Sequence, residues 1–363
     1  MQTWKKLKEN PDLWQSFFLR EKIIKSIRDF FYRENFHEVE TPLLTPAVIP
    51  ESYLDVFETN LSDRYGHKKK MFLTTSPEVY LKKLLVAGIG NCFEITKSFR
   101  NGETRGKFHH PEFTILEWYR VGADYKNIMR DCEDLVMHIY KNIRNQKSEI
   151  RNTNQKSKIK KSEIVYQNKK INLNPPWERI SIVEALNKYA DINFDDLTDD
   201  NQFPPAKIAQ IAKKKGYEVA ENNSWEEIFN QIFLNEIEPH LGTDGKPTII
   251  YDYPKPLAAL AKTKKDDPRL VERFEFYIAG LESGDGCSEL TDYDEQKKRF
   301  KSELSLIRNK NKTEVFPDED FLEALKIGLP NCAGVAVGID RLVMLFADAS
   351  SIEDILLFPL AAN

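Results

Sequence analysis

Residues 97–120 read KSFRNGETRGKFHHPEFTILEWYR, and the second half alternates as a strand does while carrying Glu117 and Tyr119 among Phe113, Ile115 and Trp118. Alternate strand residues share a face, so Phe113, Ile115, Glu117 and Tyr119 point one way and Thr114, Leu116 and Trp118 the other. The preceding CFEITKSF also reads as a strand and ends at Arg100. An antiparallel return through the charged, glycine-bearing loop would set Arg100 beside the start of HHPEF. A cation, a carboxylate and a phenol would then line one sheet surface, which is a poor core and a good polar pocket. A half-exposed sheet with a surface acid satisfies this stretch equally well.

Two further stretches favour the pocket. In FEFYIAGLESGDGCSEL, Glu275, Glu282, Asp285 and Glu289 lie in or beside strands rich in Phe, Tyr and Leu. Carboxylates so placed need cations, either a metal or an ammonium group. Simple alternation does not put Glu275 and Glu282 on one face, so a bulge or separate roles is required. In GVAVGIDRL, small residues let the backbone approach something flat, and Arg341 emerges on the first turn of a helix, where arginine suits a phosphate.

The chain has 363 residues, 41% of them apolar, enough for two conventional domains or one large catalytic one. No run approaches the roughly 18 to 20 apolar residues of a membrane span, and MQTWKKLKENPDLW lacks a signal-peptide core, so a cytoplasmic protein with no membrane partner is expected. Cys92, Cys132, Cys287 and Cys332 show no metal or disulfide spacing and read as buried thiols. A net charge of −4 gives no global attraction to nucleic acid, although local patches remain open. Residues 14–34 form an amphipathic helix leading into FHEVETPLL, where Pro42 suits an edge or interface strand. In KMFLTTSPEVYLKKLLVAG a short strand precedes a helix with Ser76 as N-cap, Pro77 in the first turn and Glu78 as first-turn acid. Residues 143–170 are rich in Lys, Asn, Gln and Ser and read as a solvated excursion, residues 177–240 read as helical, and PTIIYDYP reads as a buried strand.

Together these segments resemble the signature motifs of class II aminoacyl-tRNA synthetases. FHEVETPLLTP is similar to motif 1 (about residues 20–46), SFRNGETRGKFHHPEFTILEWY to motif 2 (about 91–120) and GVAVGIDRL to motif 3 (about 333–348). TSPEVYLKKLL, HPEFTILEWYR and RFEFYIAGLESGDGCSELTD are the variants of the lysyl-tRNA synthetase branch. Motif 1 starts too early for the anticodon-binding domain of that branch to precede it. With TSPE, EWYR and GVAVGIDRLVML, this resembles the elongation factor P–(R)-β-lysine ligase family, the paralogues also called PoxA or GenX. The resemblance implies an α+β fold: one class II synthetase-like catalytic domain over residues 1–363, an antiparallel sheet of six or seven strands flanked by helices, a variable insertion at 143–240 and a homodimer. It implies ATP and Mg²⁺ as cofactors, a lysine-like amino acid as substrate, elongation factor P as acceptor, and no stable tRNA binding.

By the same resemblance Arg100 binds the α-phosphate and Arg341 the γ-phosphate, and Glu275 and Glu282 hold Mg²⁺. Asn101, Glu103, His110, Ser283 and Gly338 fall at nucleotide-binding positions. Ser76, Pro77, Glu78, Tyr119 and Glu289 fall at substrate positions, supported by Glu117. Three departures stand out. Gly102 occupies the place of the usual motif 2 glutamate, with Glu103 next to it. Asp285 replaces an asparagine. Ala336 keeps the ligase family's alanine where lysyl-tRNA synthetases usually have glycine. A lysyl-tRNA synthetase-like core, another class II ligase such as an asparagine synthetase, and a non-catalytic regulatory paralogue remain alternatives.

Overall fold

An eight-stranded sheet organises the computed structural model, which describes residues 3–103, 106–149, 162–310 and 312–360. Its strands are β1 (His37–Glu38), β2 (Cys92–Phe99), β3 (Glu112–Val121), β4 (Glu178–Ser181), β5 (Thr248–Pro254), β6 (Leu270–Ile278), β7 (Leu281–Ser288) and β8 (Cys332–Gly338). Their spatial order is β1-β2-β3-β8-β7-β6-β5-β4. The interior is antiparallel as expected, but both outermost pairs, β1–β2 and β4–β5, are parallel. The count exceeds six or seven because the two edge strands, of two and four residues, are too short to show alternation. A parallel pair needs a crossover, and helices lie between β1 and β2 and between β4 and β5 in the chain.

On one face the helices Trp14–Arg33, Tyr125–Glu149 and Ile339–Ala347 cover Leu116, Trp118, Phe274, Phe276, Val335 and Val337. Each such buried side chain contributes roughly 1.5–3 kcal/mol relative to exposure. On the other face a helical unit between β4 and β5 has its own core around Leu186, Trp225 and Phe229. Ser181 with Glu184, and Ser224 with Glu227, form capping boxes that fix where two of its helices begin. A third cluster packs Leu81 and Leu85 of the Glu78–Val86 helix against Phe321 and Leu325 of the Glu319–Gly328 helix.

The expectation of a solvated excursion over 143–170 needs correction where the chain is described. The Tyr125–Glu149 helix runs into it, and a hairpin of Glu163–Tyr166 with Lys169–Asn172 buries Ile164, Tyr166 and Ile171 in the main core. Alternation is present in EIVY, but the surrounding lysines obscure it; residues 150–161 of this segment lie outside the described residues. Among the described residues no helix is long and apolar enough to cross a membrane.

β6 and β7 are joined by Ala279 and Gly280, both with positive φ (57° and 83°), a two-residue hairpin turn. Beyond it the register slips: Tyr277 pairs with Glu282, yet Phe276 pairs with Gly284, leaving Ser283 as an extra residue. The turn resolves the parity problem by setting Glu282 opposite Tyr277, on the face of Glu275, and the bulge then brings Asp285, opposite Glu275, to the same face.

Candidate active site

The register of β3 builds the site. Arg100 follows β2, its N–H donates to the Pro111 carbonyl at 3.0 Å, and its guanidinium lies 5.2 Å from the Phe113 ring centroid. Glu117 and Tyr119 face a cleft of ≈ 560 Å³, while Leu116 and Trp118 enter the core, as alternation requires. Of the residues picked out in the sequence, only Pro77 and Asn101 lie off the cleft wall. The Pro77 carbonyl accepts from the Tyr80 and Leu81 amides, and the Asn101 amide donates to the Asp55 carbonyl at 2.8 Å.

At one end the cations gather. The Arg341 guanidinium donates to the Glu282 carbonyl at 2.7 Å and to His109 Nε2 at 2.9 Å, and lies 3.3 Å from the Glu282 carboxylate. Surrounding protein and the Arg341 charge hold His109 below its ordinary range, so the neutral ring accepts. Burial opposes ionisation of Glu282, but Arg341 and Arg100 outweigh it and hold the carboxyl below its usual range. Among the described residues the buried Arg100 Nε has no partner, a donor suited to an anion. Gly102, at φ +83°, turns the chain so that Glu103 meets the cleft, 3.8 Å from Arg100. His110 accepts from the Leu360 amide at 3.1 Å, and the Ser283 hydroxyl donates to the Leu281 carbonyl. Gly338 caps the helix bearing Arg341.

Carboxylates dominate the other end. Glu117 is 2% exposed and accepts from the Ser76 hydroxyl at 2.6 Å; burial, with Glu78 adding to it, pushes its carboxyl well up. Ser76 Oγ also accepts from the Glu78 amide, although the helix itself begins one residue later than the N-cap assignment expects. Glu78 and Glu289 do not stand free: both bind the ammonium of buried Lys82, Glu289 at 2.5 Å. Burial disfavours that ammonium, yet the two carboxylates prevail and keep Lys82 charged. Asp285 faces Arg273 through 3.0 and 2.8 Å contacts, and the same guanidinium binds Glu275 at 2.7 Å. Burial raises Glu275 to about 7 against the pull of Arg273. Cys287 is not a buried thiol but lines the cleft, its Sγ 3.5 Å from Glu289.

Sequence reasoning missed Lys82 and Arg273, although both were within its reach. Lys82 lies four residues after Glu78, on the helix face of Leu81 and Leu85, and Arg273 lies two before Glu275 on one strand face. Glu51 and Tyr53, also on the cleft wall, sit in an aperiodic loop that gave no signal. Among the described residues no group of three His, Cys, Asp or Glu side chains is arranged to hold a metal ion.

An antiparallel sheet with a triphosphate-sized cleft, an arginine after its second strand and another at a strand-to-helix turn defines a class, and comparison agrees. Residues 2–362 match the family described as tRNA synthetases class II (D, K and N), and the chain belongs to it. Within that family it is similar to proteins described as lysine–tRNA ligases. It is 37% identical over 351 residues to that of Carboxydothermus hydrogenoformans, covering 97% of this chain and 66% of the relative. For Moorella thermoacetica the figures are 34% over 360 residues, covering 96% and 66%. For Listeria monocytogenes they are 34% over 359 residues, covering 96% and 65%. The chain thus spans about two thirds of the length of these relatives.

Proposed function

We propose that this chain uses ATP to activate a lysine-like amino acid, (R)-β-lysine in preference to α-lysine, as an aminoacyl-adenylate and transfers it to a lysine side chain of elongation factor P. The observation that carries the reading is the setting of Ala336. Strand register pairs it with Glu117 on β3 and with Asp285 on β7, so its methyl stands on the cleft floor between two carboxylates. One methyl there crowds an amino group on the α-carbon and tolerates one on the β-carbon.

In the first half-reaction the substrate carboxylate attacks the α-phosphorus and pyrophosphate leaves. Arg100 and Arg341 act by positioning and by offsetting charge as it shifts to the departing group. Glu275 and Glu282, brought to one face by the hairpin register, would hold Mg²⁺, whose remaining ligands are ordinarily phosphate oxygens and water. Bound there, the ion would offset phosphate charge. Glu117, Tyr119 and the Glu78–Lys82–Glu289 trio would receive the ammonium groups. Both arginines together with Glu282 argue against a module that only binds.

A second reading, lysyl transfer to tRNA, is favoured by the names of the similar proteins. ATP–pyrophosphate exchange over a panel of α- and β-amino acids, followed by transfer to elongation factor P or to tRNA, separates the two. Exchange should be strongest with (R)-β-lysine, with label passing to elongation factor P. Ala336→Gly should raise exchange with α-lysine by about 10- to 200-fold, the range of a methyl-sized discrimination. Wild-type exchange with α-lysine equal to that with β-lysine, or label on tRNA instead, would transfer the case to the second reading.

A further inference from the structure

Transfer to a lysine poses a proton problem that the residues assigned so far do not solve. An alkyl ammonium, with an ordinary pKa near ~10.4, cannot attack a carbonyl until it loses a proton. Arg100 and Arg341 cannot accept it, and Glu275 and Glu282 face phosphate and metal.

The loop of residues 49–55 brings another carboxylate to the cleft. Glu51 and Tyr53 both line it, and Glu51 Oε1 accepts from the Tyr53 hydroxyl at 2.6 Å. The loop is tied down on both sides. The Ser52 amide donates to Glu303 Oε2 at 2.7 Å, and the Asp55 carbonyl accepts from the amide of Asn101, the residue after Arg100. Glu51 therefore keeps a fixed place relative to the phosphate-end arginine. Its charged surroundings are Arg100 after β2, Glu78 at the start of its helix and Glu303 of the Tyr293–Asn309 helix. Among the described residues no cation closes an ion pair with it, in contrast to Glu78, Glu275, Glu282 and Glu289.

We infer that Glu51 is the general base of the transfer half-reaction, taking the proton of the acceptor ammonium in the cleft; this rests on the adenylate-forming reading above. The ammonium gives one proton to the Glu51 carboxylate, and the neutral amine attacks the acyl carbon. The C–N bond forms, the bond from that carbon to the phosphate oxygen breaks, and AMP leaves. The second nitrogen proton departs to the AMP phosphate or solvent, and Glu51 returns its own to water. Burial raises Glu51 to about 7, with the Tyr53 hydrogen bond opposing, Glu78 adding, Arg100 opposing and Glu303 adding. A base poised there suits neutral pH.

The test uses two nucleophiles on one adenylate. Nα-acetyl-lysine amide is an ammonium at pH 7 and needs a base; hydroxylamine is already neutral and does not. In Glu51→Gln, aminoacylation of the lysine probe should fall about 10²-fold relative to hydroxamate formation. Tyr53→Phe removes a donor that favours the ionised carboxylate, so the pH midpoint of lysine transfer should move up while the hydroxamate profile stays in place. An equal fall with both nucleophiles overturns the inference. So does loss of pyrophosphate exchange, or a raised amino-acid KM in exchange, since either places Glu51 in the first half-reaction. A wild type without exchange for any amino acid overturns the functional reading itself, and is seen before either variant is made.

Discussion

Lys82 shows how far a single side chain can depart from what its type suggests. A lysine 1% exposed is tolerated because two carboxylates surround it, and removing it would leave buried Glu289 without its cation. Breaking a buried ion pair from one side costs about 3–5 kcal/mol. Lys82→Met should lose stability of that order in urea unfolding, and adding Glu289→Met should recover part of it. Equal stability of wild type and single mutant would show that the trio is hydrated rather than buried. At the opposite end, Arg341→Ala and Glu282→Ala should each lower pyrophosphate exchange by about 10² or more while the circular dichroism spectrum is kept. Near-wild-type exchange in either would overturn the role given to that residue.

Among the elements, β8 was only partly legible. Its small residues suggest a backbone close to something flat, and at Gly334 that neighbour is the protein itself. A Cβ there would come within 2.4 Å of the Tyr119 ring, whereas at Gly338 it would meet only the Arg341 methylenes at 3.8 Å. Gly334→Ala should therefore displace Tyr119 and raise the amino-acid KM in exchange with little change in ATP KM, whereas an unchanged amino-acid KM would show that the ring yields without cost. Strand parity was readable wherever alternation ran for several residues, as at Glu117 and Tyr119. It failed at the Ser283 bulge, whose position is set by pairing with β6 and not by local pattern. The pairing of Lys82 with Glu289 and of Arg273 with Asp285 was hidden for a related reason, since ion pairs across elements leave no periodic mark.

Over the whole molecule, the motif 1 region offers a surface for a partner. The Trp14–Arg33 helix and the following segment leave Trp14, Phe18, Tyr32, Leu43 and Leu44 between 37% and 54% exposed, with the Trp14 and Phe18 rings stacked. Apolar groups along one helix and the segment after it suit an isologous contact. We expect a homodimer by light scattering at micromolar concentration, and Phe18→Asp should shift it toward monomer; a wild-type monomer would contradict this. The fold class was legible because three motifs occur in order and the resemblance around them extends over most of the chain. The edge strands and the buried hairpin were not, being short or set among lysines. The single unpaired residue in β7 also bears on how such a chain can change over generations. Loss of Ser283 would leave Tyr277 opposite Glu282 and Phe276 opposite Gly284, with the glutamate still facing the cleft, but one codon added after Gly284 would set Asp285 opposite Phe274 and turn it toward the hydrocarbon interior. At this point chain length, as much as residue identity, is what inheritance must preserve.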